Sequence, residues 1–143
     1  DATKLAAEIR LAIEGRYDSD IPDQALQWCG IQTYNSGDYE MAATCLGLVS
    51  TPEDPRSTPK EAWRYLGKAR IETADHANAL MAIHFALEFE DQASWKADGL
   101  LDRARALFAL KRYEDSRKSA DEAMALRPQG RTSGESICCK RAT

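Results

Sequence analysis

The sequence holds a single valine, Val49, and seven isoleucines in 143 residues. β-Branched residues favour strands, so their scarcity excludes a parallel sheet or a β-sandwich. Neither sign of charge dominates: 19 Lys and Arg stand against 23 Asp and Glu, for a net −4. The basic face of a non-specific nucleic-acid binder is missing, so nucleic acid is not an expected partner. No run approaches the ~18 uncharged apolar residues of a membrane span, and no apolar-centred leader opens the chain. Four cysteines, Cys29, Cys45, Cys138 and Cys139, are too few and too uneven for a disulfide framework. They read as reduced thiols in a cytoplasmic protein. The chain opens on Asp1 rather than Met, so we expect a segment removed upstream or a piece of a longer protein.

What is abundant is alanine. The chain has 23 Ala and 13 Leu, the residues with the best helix propensities. Hydrophobic residues make up 43% and include three Trp and five Tyr, too many for a chain disordered throughout.

Sliding the sequence against itself gives one dominant offset of 37 residues. Leu26, Trp63 and Leu100 align, as do Gly30, Gly67 and Ala104, and Tyr34, Ile71 and Phe108. Tyr39, His76 and Tyr113 form a fourth column, and Ala42, Ala79 and Ser116 a fifth. Leu46, Ile83 and Ala120 form a sixth, and Val49, Ala86 and Ala123 a seventh. The register reaches upstream, where Leu5, Ile9 and Ala12 lie 37 before Ala42, Leu46 and Val49. Downstream, Ile137 lies 37 after Leu100. The domain then divides into a half unit at 1–14, full units at 23–56, 60–93 and 97–130, and a partial helix within 131–143.

Within each unit the apolar positions recur at helical spacing. The spacing predicts helices near 2–14, 22–36, 38–50, 59–73, 75–90, 95–110, 113–126 and 133–142. Gly37-Asp38 fits a tight turn between antiparallel helices. Thr58-Pro59-Lys60-Glu61 reads as a capping Thr, a Pro at the first helical position and a Glu at the third. Thr132-Ser133-Gly134-Glu135 repeats the Thr-x-x-Glu spacing. Proline-bearing loops are expected at 15–21 and 51–58.

No motif carries chemistry. A Gly-rich phosphate loop, a nucleophile elbow and a paired-His metal motif are all missing. His76 and His84 lie eight apart on one predicted helix, roughly 12 Å along its axis, too far for one metal ion. Cys29 and Cys45 fall in core columns and read as small hydrophobes. Cys138-Cys139 lacks a second pair or a nearby His, and no role is assigned to it. The acidic group Glu88, Glu90 and Asp91 reads as a solvated helix end. No catalytic residue, metal or cofactor is expected, and the chain is read as no enzyme.

The columns resemble those of the tetratricopeptide repeat family. That family pairs two helices in each unit, with a large residue, Leu and Gly in the first. A Gly-x-Tyr opens the second helix, followed by small residues seven apart. Residues 23–56 match through Leu26, Cys29, Gly30, Gly37-Asp38-Tyr39, Ala42, Leu46 and Val49. Residues 60–93 match through Trp63, Leu66, Gly67, His76, Ala79, Ile83 and Ala86. Residues 97–130 match through Leu100, Ala104, Tyr113, Ser116, Ala120, Ala123 and Pro128. Arg103 departs from the usual Leu, Ala120 from the usual large residue, and His76 from Tyr.

The resemblance implies an all-α, right-handed solenoid whose first helices line a concave groove. The lining would be Gln24, Gln27, Ile31 and Tyr34, then Arg64, Lys68 and Ile71, then Leu101, Arg105 and Phe108. Three cations among apolar anchors suit a peptide or partner helix bearing acidic groups. Members that grip the C-terminal carboxylate of heat-shock chaperones use Lys, Asn and Arg at matched places. Here those places hold Gln27, Ile31, Tyr65, Asp98 and Asp102, so that carboxylate is not an expected partner. The implied function is a non-catalytic protein-interaction scaffold. A secretion chaperone holding export substrates, the interaction domain of a larger enzyme, and an RNA-binding helical repeat are the rivals. Exposed end helices would also support a homo-oligomer.

Overall fold

Helix propensity is realised in most of the described chain. The computed structural model describes Lys4, Ala6, Ala7, Glu8, Leu11 and residues 22–126. It contains α1 (Asp23–Asn35), α2 (Tyr39–Val49), α3 (Lys60–Glu72), α4 (His76–Phe89), α5 (Ala93–Ala109) and α6 (Tyr113–Leu126). A single 3-10 turn, Pro55–Ser57, interrupts the linker between α2 and α3. The five residues described before Pro22 are also helical, and no strand occurs among the described residues. The fold is all-α, and the six helices lie within two residues of the limits read from spacing. The rest of the expected helix at 2–14 and the one at 133–142, with Cys138 and Cys139, lie outside the described residues.

The 37-residue period is present in the backbone. Gly37, Ala74 and Lys111, each one period apart, are the turn residues with positive φ, at 93°, 65° and 65°. Each is followed by the same closing bond. The amides of Asp38, Asp75 and Arg112 donate to the carbonyls of Thr33, Arg70 and Leu107 at 2.8, 2.8 and 2.9 Å. This is the helix-ending motif that ties a left-handed residue back to the last turn. At the first turn Asp38 also caps α2, its side chain accepting from the Met41 amide at 3.3 Å.

Each helix packs on the next in the chain, and α1 touches α3 as α3 touches α5. Two close approaches fix the spacing of the pairs. A Cβ on Gly30 would stand 2.5 Å from Leu46 Cγ, and one on Gly67 would stand 2.8 Å from Ile83 Cγ1. Both contacts are closer than side-chain carbons tolerate, so a glycine on one helix admits the large residue of the other. The third unit has Ala104 and Ala120 in those columns, a smaller residue facing a larger substitute for glycine.

The main core runs from Leu26 and Cys29 through Cys45, Leu46 and Trp63 to Leu66, Ala82 and Ala86. Trp63 is fully buried, donates its indole N–H to the Pro55 carbonyl at 3.1 Å, and packs its ring on Phe85. The 3-10 turn therefore gives the long linker its own attachment to the core. The Cys29 and Cys45 sulfurs are buried 3.8 Å apart, with Met41 Sδ 3.5 Å from Cys45. One period on, Leu66 and Ala82 occupy those columns. In the third unit Arg103 and Ser119 take them as a matched polar pair, Arg103 Nε donating to Ser119 Oγ at 2.9 Å. The Arg103 departure is thus answered across the helix pair.

Thr58 does not act as the expected cap. Pro59 holds the cap position of α3, and no side chain caps that helix. The buried Thr58 hydroxyl turns back to the linker, accepting from the Thr51 amide at 2.9 Å and donating to the Val49 carbonyl. The linker's own unpaired backbone groups compete for it and win.

The three turns generate a prediction. Side chains other than glycine are strained at positive φ, so Lys111→Gly is expected to raise stability by about 0.5–1 kcal/mol. Gly37→Ala is expected to lower it by at least as much. Urea unfolding measures both; equal stability for all three proteins contradicts the assignment of these turns.

Candidate functional site

The face formed by α1, α3 and α5 carries the residues proposed from sequence, and most are not free. On α1, Gln24 is exposed, while Gln27, Ile31 and Tyr34 are half-buried. Tyr34 packs its ring against Tyr39 at 5.3 Å and edge-on to Tyr65 of α3 at 5.4 Å. Between units one and two the face is therefore aromatic.

Between units two and three it is ionic. Arg64 reaches the Glu90 carboxylate at 2.9 Å and lays its guanidinium over the Trp95 ring at 3.9 Å. Lys68 bridges Asp98 at 2.8 Å and Asp102 at 2.7 Å. Arg105 reaches Glu72 at 3.3 Å and Asp102 at 3.6 Å. Lys60 adds contacts to Glu90 and Asp91. The three cations expected to meet an acidic partner are instead paired with the chain's own carboxylates. Counting Lys60, four cations meet five acids, Glu72, Glu90, Asp91, Asp98 and Asp102, so no positive surplus remains.

Two further expectations are corrected. Ile71 is not a lining residue: it is 7% exposed and packs with Ala79, Ile83 and Ala106 because α5 covers it. Glu90 does not belong to a solvated helix end. It is buried, and besides its two cations it accepts from the amides of Asp91 and Gln92. Spacing along one helix could not reveal Glu90 or Asp102, because their partners sit on another helix. The retrievable signal is opposite charge at long offset: Lys60 and Glu90, like Lys68 and Asp98, lie 30 apart in sequence.

Burial and charge work against each other here. Burial would raise the Glu90 carboxyl, but the Gln92 amide, Arg64 and Lys60 outweigh it and hold it below the ordinary value. Burial pushes the Asp102 carboxyl up, further than Lys68 pulls it back. Burial would lower the Lys68 ammonium, yet Asp102 and Asp98 keep it above the ordinary lysine value.

At the far end of the face, Leu101, Ala104, Arg105, Phe108 and Ser116 line an open groove of about 640 Å³. Leu101 is half-buried, Arg105 exposed, and Phe108 stands 62% exposed with its ring edge-on to Tyr113. His76 opens α4, and its Nδ1 is buried without a hydrogen-bond partner. Among the described residues no group of three or more His, Cys, Asp or Glu is spaced to hold a metal ion. No described helix is long and apolar enough to cross a membrane. No protein-family description matches the chain, and no curated protein matches it.

Glu90 supplies the testable consequence. Removing one partner from a buried ion pair strands the other, so Glu90→Gln is expected to cost about 3 kcal/mol at pH 7. A carboxyl held low contributes stability above its ordinary value of 4.5, and that contribution is lost as pH falls through the folded value. Asp102 responds in the opposite sense, its burial cost relieved by protonation. The gap between wild type and Glu90→Gln in urea unfolding is therefore expected to narrow as pH falls below the ordinary carboxyl value. A gap constant with pH contradicts the pairing.

Proposed function

We propose that this chain is a non-catalytic protein-interaction module built as a tetratricopeptide-like, right-handed solenoid of antiparallel helix pairs. It receives a peptide or helix of a partner protein on the face lined by α1, α3 and α5. The support for the solenoid is the repetition of one turn geometry at Gly37, Ala74 and Lys111, together with the glycine columns. The observation that carries the binding face is the direct contact of α1 with α3 and of α3 with α5, which lays successive first helices side by side.

The partner's chemistry differs from an acidic peptide. Arg64, Lys68 and Arg105 are engaged within the chain, and exchanging those ion pairs for new ones gains little. Gln27, Ile31 and Tyr34, beside Tyr65, offer apolar and aromatic anchors with an amide for hydrogen bonding. An apolar partner segment fits this surface best. The heat-shock carboxylate stays outside the proposal, because Asp98 and Asp102 hold Lys68 at the matched places. A cytoplasmic setting is proposed from the cysteine usage alone.

The test uses the full chain as bait with Ile31→Arg, and Leu48→Arg on the exposed side of α2 as control. Ile31→Arg is expected to weaken a specific partner about tenfold or more while helix content holds. Leu48→Arg should leave that partner in place, and an acidic chaperone-tail peptide should give no calorimetric signal. Loss of the partner through Leu48→Arg but not Ile31→Arg contradicts the proposed face.

A further inference from the structure

Three sulfur atoms converge inside the first unit. Cys29 stands on α1, and Met41 and Cys45 stand four residues apart on one side of α2. Cys45 Sγ lies 3.8 Å from Cys29 Sγ and 3.5 Å from Met41 Sδ. Both cysteines are fully buried, and Met41, 5% exposed, is the outermost of the three.

The other units show that packing does not call for sulfur at these places. One period on, the columns hold Leu66, Asn78 and Ala82. Leucine and alanine close the core there, and Asn78 is exposed. In the third unit the same columns hold Arg103, Asp115 and Ser119, which share the lining of a pocket of about 300 Å³. In the first and third units, then, the three columns meet around one space between the helices of a pair. Only the first unit lines that space with sulfur.

We propose that Cys29, Met41 and Cys45 bind one Cu(I) ion. Thiolate and thioether sulfurs are soft donors that select this ion, whereas zinc takes four nitrogen, oxygen or thiolate ligands. With metal–thiolate bonds of about 2.3 Å, the 3.8 Å separation of the cysteine sulfurs sets an angle of about 110° at the metal. Met41 Sδ supplies the third corner, and its flexible stem closes on the ion. Met41 lies in the first turn of α2 and is where the ion enters. Binding exchanges one Cu(I) for the two thiol protons, which pass to water, and copper keeps its oxidation state. Burial pushes the Cys29 thiol up and Asp38 adds to it, so that proton leaves as the metal takes its place. Leu26, Leu46 and Trp63 belong to the same core and keep the site dry. The bound ion staples α1 to α2 within the first helix pair. This goes beyond the proposed interaction role, and its failure leaves the Ile31 experiment unaffected.

The test uses the full chain carrying Cys138→Ser and Cys139→Ser, so that those thiols contribute nothing. Cu(I) is offered anaerobically as its coloured bicinchoninate complex. The protein is expected to withdraw one Cu(I) per chain and to unfold at higher urea once loaded. Met41→Leu conserves volume and is expected to weaken binding about tenfold or more. Cys29→Leu with Cys45→Ala copies the Leu66–Ala82 pair of the second unit, so helix content should hold while Cu(I) binding is lost. No withdrawal by the parent protein, unchanged binding in Met41→Leu, binding that survives the double substitution, or a tighter hold on Zn²⁺ than on Cu(I) would each overturn the proposal.

Discussion

The structure depends on how closely two helices of a pair approach. Where Gly30 faces Leu46 and Gly67 faces Ile83, the missing Cβ lets the large side chain sit against the backbone of its neighbour. That distance sets the height of each pair, which in turn sets where the next first helix can lie. The buried alanines follow from it: Ala42, Ala62, Ala69, Ala79, Ala82 and Ala106 are fully buried, and larger residues there would push the helices apart. Alanine abundance is therefore a packing requirement as much as a helix preference.

Once the first helices stand side by side, their inward side chains must be satisfied across unit boundaries. Two solutions appear. Between α1 and α3 the contact is aromatic, Tyr34 on Tyr65. Between α3 and α5 it is a ladder of ion pairs, with Glu90 and Asp102 buried among Arg64, Lys68 and Arg105. A buried ladder is poor at recruiting a charged ligand, because each cation already has its carboxylate. It suits fixing how α3 and α5 lie against each other, and under the proposed function it leaves recognition to the aromatic end of the face.

Helix limits were legible because alanine, leucine and the Gly37 turn act locally. The 37-residue spacing of the turns at Gly37, Ala74 and Lys111 was legible because the residue columns around them recur at that offset. The cross-unit chemistry was not. Lys68 looked like a free cation because its partners Asp98 and Asp102 belong to the next unit, and Ile71 looked exposed because the helix that covers it is α5. Thr58 matched a capping pattern, yet the Pro-rich linker brought the Thr51 amide within reach of its hydroxyl. For Lys68 and Ile71 a neighbour distant in sequence outcompeted the local preference, and for Thr58 a residue seven back in its own linker did.

The close approach of the paired helices is tested most directly by a double-mutant cycle on Gly67 and Ile83, read by urea unfolding. If the Gly67 hydrogen is there to admit Ile83, Gly67→Ala costs at least about 1 kcal/mol less in an Ile83→Ala background than in the wild type. Strictly additive effects would contradict the account.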